Sequence, residues 1–368
     1  MRLQSFKLVV RTVAAVLTAA TSLAFASFLP SSLTQATSAD WVKTGKNTGL
    51  GTSGIASPVV SSGEDQAWQG SYVYLGNFGG KPIRFRVLDP ATDRFGGETM
   101  LVDSDEVLFD YVFDVDGNNV WKDPANYVYS DLYMYLNFKF VYDSFAPAEI
   151  AAVFPSTTED LDDDKIFVLS DNEIEAYGSA AKTGGLYWLR SADTAGADLI
   201  NVVDSQGTVT KAPVSSKLGV APALNIDLNR VVFSSLVSGN PGAGAAYKLT
   251  LLDKDIELAV KKDKDVSVDG NSVTVPYELK ETGASAVNQM SVLILSSEYN
   301  VSDSDNTILY YAPLGSNDKA QGIGTFDLPK DLDLSGWGSD YRVYILAEDI
   351  NGALESDYTS EPVEVVLH

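Results

Sequence analysis

Ser238-Gly239-Asn240-Pro241-Gly242-Ala243-Gly244-Ala245 is the stretch on which the reading of this chain turns. Eight successive positions carry no large apolar side chain, and glycine and proline dominate, which predicts a linker over 236–246. Patterning differs on its two sides. Downstream, Val273, Val275, Tyr277 and Leu279 alternate with Thr274, Pro276 and Glu278, and Tyr341, Val343, Ile345 and Ala347 alternate again. Asp269-Gly270 and Asn351-Gly352 supply turns, and 362–367 makes a last strand. Short period-two strands punctuated in this way predict an all-β immunoglobulin-like sandwich over 247–368.

Upstream, 67–235 reads as an α+β domain. Tyr72 to Gly76 and Ile83 to Asp89 form a candidate strand pair around the turn Gly79-Gly80. Leu132, Tyr135 and Leu136 then fall at helical spacing, with Ser130 as N-cap. Ser170 three residues before Glu173 is a capping box for a helix that Gly178 stops. Strands recur at 166–169, 187–189, 199–203 and 220–226. Helix and strand do not alternate regularly, which argues against a doubly wound parallel sheet.

At the N-terminus, Arg2, Lys7 and Arg11 precede an apolar run closed by Pro30, and Thr37-Ser38-Ala39 is a small-residue exit. That is the pattern of a secretory signal over 1–39, with Ala24-Phe25-Ala26 as the competing cleavage point and an uncleaved membrane anchor as the alternative. The Gly/Ser/Thr-rich segment 40–66 reads as a flexible leader. The expected location is therefore extracellular, secreted or retained at the cell surface, with no membrane span in the mature chain.

The chain has 368 residues, 26 Lys+Arg against 50 Asp+Glu, no Cys, and one His at position 368. Disulfides, thiol nucleophiles, Cys-ligated zinc, a Ser-His-Asp triad and a paired-His metal helix are excluded. The net charge of −24 repels nucleic acid and anionic membranes, so neither is an expected partner.

Chemistry-bearing candidates are few. Twelve aromatic residues crowd the stretch from Phe109 to Phe145. Aromatic faces beside carboxylates suit sugar rings, although a domain core would use the same residues. Asp114, Asp116 and Asn118 alternate as oxygen donors, which suits Ca2+. Asn119 and Ala125 stand where an EF-hand needs its turn Gly and its bidentate Glu. Trp121 offers a stacking face beside Asp116 and Asn118, and Arg190 a cation for a ligand, or else a structural clamp held by a carboxylate or by strand carbonyls. No Asp/Glu pair is marked as a glycosidase pair by its surroundings.

The segment from Gly70 to Phe233 resembles a bacterial domain family of uncharacterised function on exported proteins of Gram-positive bacteria. The matching pieces come in order: Leu75-Gly76-Asn77-Phe78 with 83–89, Ser130-Asp131-Leu132 with Leu136-Asn137, 164–170, Tyr187-Trp188-Leu189-Arg190-Ser191, and 219–224. Tyr133, Tyr135 and Ala221 depart from its pattern. The Trp-Leu-Arg-Ser strand and the later Gly-Val-Ala-Pro-Ala strand are similar to the closing strands of C-type-lectin-like domains, and the residues after 247 to the partner module such proteins carry. The resemblance implies a C-type-lectin-like head, an immunoglobulin-like module and a non-enzymatic binding or adhesion role, with a glycan or surface protein as partner; the usual lectin calcium tripeptides are not visible, and Ca2+ is a candidate only through Asp114, Asp116 and Asn118. The alternatives are a carboxylate-dependent glycan-acting enzyme and a structural envelope component.

Overall fold

The computed structural model describes residues 48–56, 58, 68–115, 126–178, 182, 185–192, 198–242, 244–262, 264–303 and 305–367. With 46% strand and 13% helix the protein is mostly β-sheet. The α-helices among the described residues, Asp131–Tyr135, Val141–Ser144, Pro147–Ala152 and Asp171–Tyr177, all lie in the first half.

Local signals act where chain-neighbour chemistry predicts. Ser130 Oγ accepts from the Tyr133 N–H at 3.1 Å and starts the first helix. Ser170 and Glu173 exchange side-chain-to-backbone bonds of 3.2 and 2.9 Å, and Gly178 stops that helix at φ 60°. Gly79 and Gly80, both at positive φ, turn the hairpin between Tyr72–Phe78 and Lys81–Thr92.

The largest sheet has 14 strands. Its path runs Ile308–Pro313, Gln289–Leu295, Arg342–Asp349, Asp357–Thr359, Ala246–Leu252, Tyr72–Phe78, Lys81–Thr92, Thr99–Ser104, Ala223–Asp227 and Val153–Phe154. It therefore crosses both halves of the chain. In the first half a five-stranded sheet that includes Phe109–Val112, Tyr187–Ala192 and Lys217–Val220 shares a core of Phe85, Val102, Phe113, Trp188 and Leu224 with it. In the second half, Ile256–Val260, Ser272–Glu281 and Ile323–Asp327 belong to another sheet, and the two sheets bury Val275, Tyr277, Val292, Phe326 and Ile345 in one sandwich-like core. The alternation read from Val273 onward holds through 275, with Val273 and Val275 buried and Ser272 and Thr274 only partly so, and breaks at Pro276, which is buried beside Tyr277.

Two expectations need correction. The stretch read as a linker is the tip of a hairpin, because Val231–Ser238 and Ala246–Leu252 pair antiparallel up to Ser238 opposite Ala246. Gly239, Gly242 and Gly244 take positive φ there, so the composition that suggests a linker serves a tight turn. Ala246–Leu252, expected to open the sandwich, instead packs Tyr247, Leu249 and Leu251 into the first core. It pairs in parallel with Tyr72–Phe78 on one side of the joint and with Asp357–Thr359 on the other. Part of the expected leader is also built in: Thr48–Leu50 pairs with Val231–Ser238, and Leu50 is buried. Leu50 joins Val232, Phe233, Leu293, Leu295, Tyr344 and Leu346 in a third apolar cluster that ties the halves together.

Candidate functional site

The first helix rises from Ser130. Asp131, in its first turn, accepts the Val115 N–H at 2.8 Å and so fixes the end of the preceding loop. Leu132, Leu136, Phe140 and Val141 are buried against the core. Leu136–Phe140 is a π-helical turn, a widening often found where a helix carries function. The opposite face is unusual. Met134, Phe138 and Tyr142, each four residues from the next, are 51%, 64% and 64% exposed. Large apolar groups in such a row are not needed by the core, and a contiguous exposed patch marks an interaction surface.

The floor beside it is aromatic and fixed. Tyr135 stacks on Tyr111 with ring centroids 4.4 Å apart and meets Phe109 edge-on at 5.3 Å. Tyr133 sets its ring against Phe138 at 6.4 Å. Burial and the nearby Asp164 carboxylate push the Tyr133 hydroxyl up to about 12, so it stays a donor at neutral pH. Burial likewise raises Asp164 to about 6. Asp110 is exposed on the strand next to the patch, and Asp143 pairs with Lys139 on the helix. Stacking faces with phenol and carboxylate groups around them can hold a ring bearing hydroxyls.

The residues singled out from sequence fall differently. Asp116, Asn118 and Trp121 lie outside the described residues. Asp114 is buried, and its N–H donates to the Val214 carbonyl at 3.0 Å. Among the described residues no group of three or more His, Cys, Asp or Glu could hold a metal ion. Arg190 is a clamp. Its two terminal nitrogens reach both Glu173 oxygens at 2.6 and 2.8 Å, Nε reaches Asp160 at 2.8 Å, and Nη1 also donates to the Val168 carbonyl at 3.0 Å. A further contact to Asp160 at 3.5 Å occupies its fifth donor, which leaves none for a ligand. The guanidinium lies over the Phe167 ring at 5.3 Å. Phe138 and Tyr142 stand among the aromatic residues named from sequence but Met134 does not, and spacing alone does not say which face of the helix meets water.

Two other polar features are structural. Lys182 is buried against Asp103, with its ammonium 5.7 Å from the Tyr187 ring centroid, and burial pulls its pKa down to about 8. A cleft of about 850 Å³ between the halves is lined by Asp89, Asp93, Glu98 and Asp303, with Arg94 as counter-charge. No helix among the described residues is long and apolar enough to cross a membrane. Neither the known families nor the curated proteins nor the solved structures match this chain.

Proposed function

We propose that this is an exported, non-enzymatic binding or adhesion protein, secreted or held at the surface of a Gram-positive bacterium, that takes glycans on the aromatic face of its first helix. The head is C-type-lectin-like and the following sandwich immunoglobulin-like in this reading. The observation that carries it is the exposed row Met134, Phe138 and Tyr142 beside the Tyr111–Tyr135 stack. Sugar C–H faces stack on such rings, and Tyr and Asp groups take the hydroxyls. Asp114, with Asp116 and Asn118, stays the proposed calcium loop, and Trp121 the proposed stacking residue, on sequence alone.

A glycan array run with and without calcium, beside a hydrolysis screen on the same glycans, tests the proposal. Binding without turnover, lost in Phe138→Ala and Tyr142→Ala, is expected. Release of reducing ends, or binding that both variants retain, overturns it.

A further inference from the structure

We propose that Lys248 and Asp357 condense to an intramolecular amide, a covalent cross-link between the two halves of the main sheet. The two side chains meet at the joint where Ala246–Leu252 and Asp357–Thr359 pair in parallel, Thr250 opposite Asp357. Lys248 Nζ lies 2.8 Å from Asp357 Oδ1 and 2.7 Å from Oδ2, with the two side chains only 7% and 6% exposed. Both backbones are fixed by strand ladders, Lys248 opposite Ser235 and Tyr74. The amine is therefore held against the carboxyl group with little freedom to leave, which is the arrangement that turns a slow bimolecular condensation into a fast internal one.

The surroundings favour the protonated acid, because desolvation in a dry site penalises a carboxylate. Burial pushes the Asp357 carboxyl up against the opposing pull of Lys248, and the charge of Asp349 adds to the rise. Glu348, on the adjacent strand Arg342–Asp349, is buried, and burial followed by the charge of Asp357 raises it too. Tyr311 donates to both Glu348 oxygens at 2.9 and 2.8 Å, and Gln289 to one at 3.3 Å, which anchors that carboxyl on the strand paired with Asp357–Thr359. The Asn351 N–H donates to Asp357 Oδ1 at 2.8 Å and polarises the carbonyl under attack.

The step balances without any added reagent. Neutral Nζ attacks Asp357 Cγ, and the Nζ–Cγ bond forms. A proton passes from nitrogen to the departing hydroxyl, with the Glu348 carboxyl as carrier, the Cγ–O bond breaks, and one water leaves.

Intact-mass measurement of the purified, denatured full chain tests the proposal. The expected mass is one water below that of the sequence, and digestion yields a branched peptide joining Lys248 to Asp357. Asp357→Ala is expected at its full mass, and Glu348→Gln to mature about a hundredfold more slowly. A wild-type chain at its full sequence mass overturns the proposal, as does a water loss that persists in Asp357→Ala. Glu348→Gln maturing at the wild-type rate overturns the carrier role of Glu348.

Discussion

Arg190 illustrates how a single residue can be fixed by its neighbours. Its five donors are shared among Glu173, Asp160 and the Val168 carbonyl. Replacing it with Gln strands buried Glu173, and the expected loss is about 3–5 kcal/mol in a urea titration. The same variant is expected to keep glycan binding below its melting point. Asp164 works in the opposite sense. Its carboxyl titrates near 6 in the fold against 3.8 in a free chain, so the folded state holds the proton more tightly. That stability is full below pH 3.8 and is lost as pH rises through about 6. Asp164→Asn is therefore expected to raise the melting temperature at pH 7 by an amount worth about 1–3 kcal/mol, with the gain vanishing below pH ~4. Thermal scans across that range check it.

At the scale of elements, what is written in neighbouring residues is legible and what depends on distant ones is not. Ser130, the Ser170–Glu173 box, Gly178 and the 272–275 alternation act within a few residues, so spacing alone predicts them. The second task of Glu173, gripping Arg190, depends on a strand that arrives later in the chain. The first helix shows the same divide on its two faces. Helical spacing picks out Leu132 and Leu136 as core, yet sequence cannot say that Phe140 packs inward while Phe138 stays in water. Stability separates them: Phe140→Ala is expected to cost about 3–5 kcal/mol. Phe138→Ala and Tyr142→Ala are expected to stay within about 0.5 kcal/mol of the parent in the same melts. Of the candidate site, aromatic density was readable and its exposed row was not.

For the whole molecule the decisive element is Ala246–Leu252, which belongs to the first core and pairs with the last hairpin. The natural division therefore falls after residue 252, not within 236–246. A fragment 48–252 is expected to keep more structure by circular dichroism than 48–245, which lacks the strand that Tyr247, Leu249 and Leu251 anchor. Protease nicks at 239–245 are expected to leave the two pieces associated on gel filtration, because the third apolar cluster and the strand ladders persist. Composition misplaced the boundary because a Gly/Pro run has the same look in a tight turn and in a free tether. A Lys248–Asp357 amide would close a loop between positions 109 apart. By chain-entropy reasoning that adds about 4–5 kcal/mol in a chain that has no cysteine to do the same.

The parallel ladder between Ala246–Leu252 and Asp357–Thr359 also sets a timetable. During synthesis residues 250–252 emerge long before their partners, and the first half leaves the ribosome with an open strand edge. Pairing so distant in sequence is slow to form, and an open edge is prone to wrong partners while it waits. The sheet is completed only when residues 357–364 arrive. A chain halted before Asp357 would thus display a ready template for joining another copy of itself.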